Sequence, residues 1–367
     1  MEKVTTDIIF TVTNDLSYDQ RMMRICSTLA DAGYEVELVG RKLEHSVPLT
    51  MQSYKQSRLD CWFSKGKLFY LEYNIRLFFY LLFCNARMLS AVDLDTLLPH
   101  TIVSKIRSKK LVFDAHEYFT EVPEVYSRKL TKAIWGTVGR ICIPHVDVAY
   151  TVGQSLADIF TSKHHKKFEV IRNVPLLTET LVSSRNQKSP IIFYQGDVNE
   201  GRGLEQMIRA ISSIDAELHI AGDGPLLAEL KQLVQSLNVS AKVIFLGYIK
   251  PEALPALLSE ASIGLNILEN NGLSYYYSLS NKFFAYIHAG LPQVCAPFPE
   301  YQFINGTHEV AMLCECSTEK LISTINELLQ DTDRYNKLQR NCELAKQYYN
   351  WQSESKTLIR LYQHVLA

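Results

Sequence analysis

Two runs of strand–helix alternation, separated by one polar stretch, constrain this chain more than any other feature. The first begins at residues 8–12, a β-branched run. It passes through the polar loop 13–18 into a pattern with Met22, Ile25, Leu29 and Ala30 at helical spacing. Gly33 ends that helix, and residues 36–39 read as the next strand. Strand, helix and strand within about thirty residues form a βαβ unit, which implies a parallel sheet, because parallel neighbours need a crossover between them. Residues 111–113 and 148–151 read as further strands of that sheet.

The second run follows the polar stretch 178–189, which contains Ser183, Ser184, Asn186 and Gln187. Strands are expected at 191–194, 218–221, 243–246, 263–265 and 293–295, with a helix over 204–211 between the first two. A chain of 367 residues is long enough for two domains, since one domain takes roughly 100–200 residues. The expectation is α/β: two Rossmann-like, doubly wound domains facing each other across a cleft. The first covers 1–180 and the second 181–345, and residues 346–367 form a final helix. In such sheets ligands bind beyond the carboxyl ends of the strands. The loops 13–21, 114–117, 196–203, 222–225 and 247–250 are therefore where function is sought.

Composition narrows the class. Hydrophobic residues make up 47% and charged residues 21%, which excludes extensive disorder. A net charge of -1 argues against a nucleic-acid partner. The polar start Met1-Glu-Lys-Val-Thr-Thr-Asp7 lacks a signal-peptide pattern, and the eight cysteines are scattered with no zinc spacing. Cys314 and Cys316 form a lone Cys-x-Cys that reads as core packing. A cytoplasmic location is expected. The longest apolar region, 68–89, contains Glu72, Arg76 and Arg87, and its longest uncharged run, 77–86, is too short for a span of roughly 20 apolar residues. It reads as a long helix packed in the first domain. The alternative is an amphipathic helix lying on the inner face of a membrane, with Arg76 and Arg87 toward anionic lipid.

Several segments carry chemistry. Gln195-Gly-Asp-Val-Asn-Glu-Gly-Arg-Gly-Leu204 follows a strand and opens a helix. Its glycines permit close backbone approach, the helix start offers free N–H groups, and Arg202 supplies a fork suited to a diphosphate. The plain alternative is a glycine-rich connection with a solvated arginine. Asp114-Ala-His-Glu117 also follows a strand, where His116 suits a sugar hydroxyl or a phosphate, although most lone histidines are structural. In Ser280-Asn-Lys-Phe-Phe-Ala-Tyr-Ile-His-Ala-Gly-Leu-Pro292, Asn281 and Lys282 open a helix. A lysine there opposes the helix dipole unless an anion compensates it. Gly222-Asp-Gly-Pro225 is a turn after a strand, architectural first. Tyr275–Tyr277 either packs or lines a pocket.

Taken together and in this order, these segments resemble the retaining GT-B glycosyltransferases of family 4, over nearly the whole chain. The resemblance rests on the glycine loop at 194–204, Ala221-Gly-Asp-Gly-Pro225, Phe245-Leu-Gly-Tyr248 and the 280–292 block. In the first half, Asn14-Asp-Leu-Ser-Tyr-Asp-Gln-Arg21, Asp93-Leu-Asp-Thr-Leu-Leu-Pro99 and Asp114-Ala-His-Glu117 resemble the acceptor-domain signatures of a bacterial subgroup.

The resemblance implies transfer of a sugar, with retention, from a UDP- or GDP-linked donor to a glycan or lipid-linked acceptor in polysaccharide synthesis. It implies no cofactor and no bound metal. The last helix would cross back to the first domain. His116, Arg202 and Lys282 would be catalytic, the two cations neutralising the leaving diphosphate. Gly196, Gly201, Gly203, Gly222, Gly224, Tyr248, Glu269 and Asn281 would bind the donor, and Asn14, Asp15, Arg21 and Glu117 the acceptor.

The chain departs from the family at three positions. Asp197 stands at the first basic position of the donor loop. Tyr277 and Ala285 stand where two glutamates, eight residues apart, hold the donor sugar and the ribose. Loss of a charged hydrogen-bond partner commonly costs about 1.5–3 kcal/mol. These departures motivate an alternative, a non-catalytic relative that binds a glycan or protein. A sugar-nucleotide epimerase of the same shape is a further alternative.

Overall fold

A computed structural model describes residues 6–17, 19–44, 46–178 and 189–367. The chain divides into two compact units, Met1–Asn173 with Glu354–Ala367, and Val174–Ser353. The expected boundary at 180/181 lies outside the described residues.

The first unit is built on β1 (Thr6–Thr11), β2 (Val36–Arg41), β3 (Lys55–Leu59), β4 (Ala86–Val92), β5 (Lys110–Ala115), β6 (Val148–Thr151) and β7 (Phe168–Val170). All pairings are parallel, in the order β3-β2-β1-β4-β5-β6-β7. Ile8 lies opposite Val36 on one side and Met88 on the other. The central strands are apolar on both faces, with Ile8, Phe10, Leu38, Leu89 and Phe113 all buried. The order reverses between β1 and β4, so the loops after those strands and β5 converge where such sheets bind ligands. The last helix, Trp351–Leu366, brings Tyr362 onto this sheet. Its ring lies 5.6 Å from that of Phe10, and its hydroxyl meets Ser90 Oγ at 2.8 Å and Tyr150 Oη at 3.2 Å.

The apolar region 68–89 is not one helix. Helix Gly66–Phe83 ends at Cys84, and Ala86–Val92 is the central strand β4. A strand buried on both faces reads as a continuous apolar run, which periodicity cannot separate from a buried helix.

The second unit is built on β8 (Ile191–Gln195), β9 (Glu217–Ala221), β10 (Val243–Gly247), β11 (Ile263–Asn266), β12 (Gln293–Cys295) and β13 (Ala311–Leu313). They pair in parallel, in the order β10-β9-β8-β11-β12-β13. Helix Leu204–Ile211 buries Met207 and Ile208 against Tyr194, Leu218 and Val294. The switch point falls between β8 and β11.

Candidate functional site

In the second unit, the loop after β8 is a cradle of backbone. Gly196, Gly201 and Gly203 have φ of +133°, +79° and +66°. A Cβ on Gly201 would stand 2.7 Å from the Tyr275 ring. The turn after β9 packs backbone to backbone beneath it. A Cβ on Gly222 would fall 1.9 Å from the Gly196 carbonyl oxygen, and one on Gly224 2.5 Å from that of Val198. Gly196 N–H donates to Ala221 O and Val198 N–H to Asp223 O, both at 3.0 Å. From another side, Glu269 N–H donates to Gly201 O at 2.9 Å.

Two cations face this cradle. Arg202 lies 4.0 Å from the Asp197 carboxylate, and its Nε is buried with no hydrogen-bond partner among the described residues. Its guanidinium carbon sits 5.2 Å from the centroid of the Tyr275 ring. Lys282 is the second residue of helix Asn281–His288 and only 7% exposed. Its ammonium stands 4.0 Å from the Tyr194 ring centroid and has no hydrogen-bond partner among the described residues. Burial, followed by the Arg202 charge, pushes its pKa well below the usual lysine value, against the pull of Asp197. No side chain caps that helix, since the Ser280 hydroxyl donates instead to Asn266 Oδ1 at 2.8 Å. Two crowded cations, open helix N–H groups and bare loop backbone form a place for a multiply charged anion.

Asn281 is exposed at the helix start, and Tyr248 is exposed just beyond β10. The Glu269 carboxylate accepts from Asn271 Nδ2 at 3.1 Å. Ala285, at the ribose-carboxylate position of the resemblance, packs against the apolar cluster of Phe193, Tyr286 and Leu291. The sequence reading missed Tyr194 as the platform under Lys282. In a strand buried on both faces, alternation does not reveal which side chain meets a ligand loop.

In the first unit, the loops after β1, β4 and β5 gather charge. His116 N–H donates to Asp93 Oδ1 at 2.8 Å, and Asp93 N–H to Asp114 O at 2.8 Å. Asp93 holds φ +58° and ψ 170°, a conformation otherwise left to glycine and typically kept at functional sites. Burial, then Glu117 and Asp95, push its pKa well up. Asp95 is buried and raised to about 6 by burial, despite a 2.6 Å hydrogen bond from Thr13. Glu117 is reached by solvent, yet desolvation by surrounding protein, then the Asp95 and Glu124 charges, raise it to about 7. His116 is exposed too, and desolvation followed by the Arg21 charge lowers its pKa. Asp93 and Glu117 border a recess floored by Phe119, Trp135 and Phe160, with the unpartnered Thr120 hydroxyl in its wall.

The other expected acceptor residues are engaged differently. Arg21 is 3% exposed. Its fork is spent on Asp114, at 2.9 and 3.2 Å, and on the Ile171 carbonyl at 3.1 Å. Burial and these three bonds hold the side chain inside the unit, where it was expected among the acceptor contacts. Asp15 is likewise held, by Arg58 at 2.7 Å, Ser17 N–H at 2.9 Å and the Ser46 hydroxyl. These bonds outweigh burial and bring its pKa to about 2. Asn14 is exposed, its amide donating to Asp19 at 2.9 Å.

Residues 179–344 match the family described as glycosyl transferases group 1. A stretch of 77 residues is 34% identical to an uncharacterized glycosyltransferase of Methanocaldococcus jannaschii, covering 20% of this chain and 20% of that protein. The matched stretch thus spans about a fifth of that curated relative. Sucrose-phosphate synthase of Thermosynechococcus elongatus superposes with a TM-score of 0.78 at 18% identity, over 98% of this chain and 99% of that one. Anabaena HepE in complex with UDP and glucose gives 0.76 at 14% identity, over 98% and 99%. The chain has the GT-B fold, and its residues 179–344 are similar to the glycosyl transferases group 1 family.

Proposed function

We propose that this protein is a glycosyltransferase that moves a sugar, with retention, from a UDP- or GDP-linked donor to a glycan or lipid-linked acceptor in polysaccharide synthesis. The observation that carries this reading is the buried, unpartnered Lys282 ammonium beside Arg202 and the glycine loop. A diphosphate supplies the charge these groups lack. As the bond from the anomeric carbon to the phosphate oxygen breaks, negative charge grows on the departing diphosphate. Preorganised cations at that point lower the barrier without a bound metal. The acceptor oxygen bonds to the anomeric carbon, and its proton leaves with the diphosphate. In this reading His116 and Glu117, on the loop pinned by Asp93, meet the sugars, and Asn14 lies at the acceptor side. The HepE complex with UDP supports a uridine donor as the first to try.

A thermal-shift series with UDP, GDP, CDP and their sugar conjugates tests the reading, because a ligand of the native state raises its melting temperature with concentration over Kd. A shift with one nucleotide class, followed by product analysis, supports transfer. Ala285, packed in apolar surroundings, favours a second reading of a non-catalytic binder. No shift at millimolar nucleotide would select it.

A further inference from the structure

Ser280 stands at the N-cap of helix Asn281–His288, a position where serine is among the preferred residues. Its backbone suits that task, with φ -76° and ψ 143°. An N-cap hydroxyl normally accepts from the N–H of the second or third helical residue. Here it accepts from neither. The third, Phe283, gives its N–H to the Ser280 carbonyl at 3.1 Å. The second is Lys282, whose N–H stands in the first turn, where the helix itself offers no acceptor.

Two buried side chains hold Ser280 in this state. Asn266, the last residue of β11, is fully buried, and its Oδ1 accepts from the Ser280 hydroxyl at 2.8 Å. The other end of that amide is spent on the neighbouring strand, where Nδ2 donates to Cys295 Sγ at 3.2 Å. The amide's sense is thereby fixed, with its oxygen toward Ser280. The Tyr301 hydroxyl, equally buried, accepts from Ser280 N–H at 3.1 Å. The hydroxyl that sequence would assign to the cap is thus drawn into the sheet. A second sign of a ligand lies at the same place. The buried Lys282 ammonium has no hydrogen-bond partner among the described residues and faces the glycine loop, since a Cβ on Gly196 would stand 3.5 Å from it.

We propose that Asn266 is a positioning residue for the nucleotide sugar: by holding the Ser280 hydroxyl it keeps the Lys282 N–H uncapped, and the diphosphate takes that N–H instead. This rests on the glycosyltransferase reading above. A serine cap in place would have to be displaced before the anion could bind, which would weaken binding about fivefold.

Calorimetric titration of the full chain with UDP and with GDP tests this. Asn266→Leu keeps the branched shape and removes the acceptor, so the freed hydroxyl turns to the Lys282 N–H. Affinity for the nucleotide is expected to fall about fivefold. Ser280→Ala has no hydroxyl to cap with and is expected to bind as tightly as wild type. The decisive protein carries both substitutions: with no hydroxyl to release, it should recover the affinity that Asn266→Leu alone loses. A merely structural Asn266 would leave the double variant as weak as Asn266→Leu, or weaker. Asn266→Ala, with and without Ser280→Ala, carries the same comparison if the leucine variant does not fold. Wild type that binds neither nucleotide overturns the glycosyltransferase reading and this proposal with it. Wild type that binds, with no rescue by Ser280→Ala, overturns this proposal alone. Weak binding by Ser280→Ala itself does the same, by making the hydroxyl a direct contact of the nucleotide.

Discussion

The Lys282 ammonium stands 4.0 Å from the centroid of the Tyr194 ring, and that π face takes the place of any hydrogen-bond acceptor. A buried donor without an acceptor costs roughly 1–3 kcal/mol, and more when charged. Lys282→Met keeps the length and removes the charge. It is expected to raise the stability of the unliganded protein by about 1–3 kcal/mol while removing the shift produced by nucleoside diphosphates. Denaturant unfolding of both proteins, with and without UDP, reads both effects. A destabilised variant would show that the ammonium has a partner the geometry lacks.

The same lysine predicts proton uptake on binding. Its folded pKa lies well below 10.5, so the folded state holds fewer protons than the unfolded one between those two values. That deficit penalises folding at lower pH and fades as pH rises toward 10.5. A bound diphosphate would restore the charged form. Calorimetry in two alkaline buffers of different ionisation enthalpy should show protons taken up with UDP, and none with Lys282→Met.

Asp95 gives a complementary signature in the first unit. Burial raises it from 3.8 to about 6, so the folded state binds the extra proton in that interval. Stability from this group is therefore present below pH 3.8 and is lost as pH rises to about 6. Asp95→Asn keeps an acceptor for the Thr13 hydroxyl and removes the titration. Relative to wild type, the variant should gain about 3 kcal/mol between those pH values and hold the gain above them. Parallel unfolding curves at all pH would contradict it.

The positions that sequence patterns reveal and those they hide divide along physical lines. Helix Leu204–Ile211 stands out by apolar residues at helical spacing after a glycine loop, and strands Val148–Thr151 and Gln293–Cys295 as short segments bounded by turn residues. Strand β4 hides because the apolar run of Gly66–Phe83 continues into it across only Cys84 and Asn85. The glycine loop after β8 is legible because Gly196, Gly201, Arg202 and Gly203 lie together in sequence, whereas Lys282 comes from a helix 80 residues further on. Tyr194, Asp93 and the commitment of Arg21 to Asp114 are not, since each depends on a partner or a backbone angle that no spacing encodes. Asp114 lies 93 residues from Arg21.

The turn below the glycine loop should tolerate no added carbon at Gly222. Gly222→Ala would press a methyl to 1.9 Å from the Gly196 carbonyl oxygen, and backbone cannot yield as a side-chain tip does. Overpacking of this kind costs typically about 1–3 kcal/mol and would displace the loop. Gly247→Ala is the control, because its Cβ meets nothing within 4 Å and carries only the strain of φ +69°. The first variant should weaken nucleotide binding more than tenfold, and the second should leave it near wild type. Equal affinity for UDP in both would separate the turn from the donor site.

Arg21 and Asp114 should behave as one interior unit rather than as ligand contacts. Removing one partner of a buried pair strands the other's charge and typically costs about 3–5 kcal/mol. Arg21→Ala and Asp114→Ala should each lower stability by that much. Arg21→Lys keeps the charge but loses the fork that grips both carboxylate oxygens and the Ile171 carbonyl, so it should still be destabilising. Arg21→Met with Asp114→Leu removes both charges and is expected to recover much of the loss, as apolar replacements of buried pairs commonly do. Unfolding free energies of wild type, Arg21→Met, Asp114→Leu and the double variant close a double-mutant cycle whose coupling should be large. Additive losses would instead mean that each side chain is held by separate partners, and would return Arg21 to the candidates for acceptor contact.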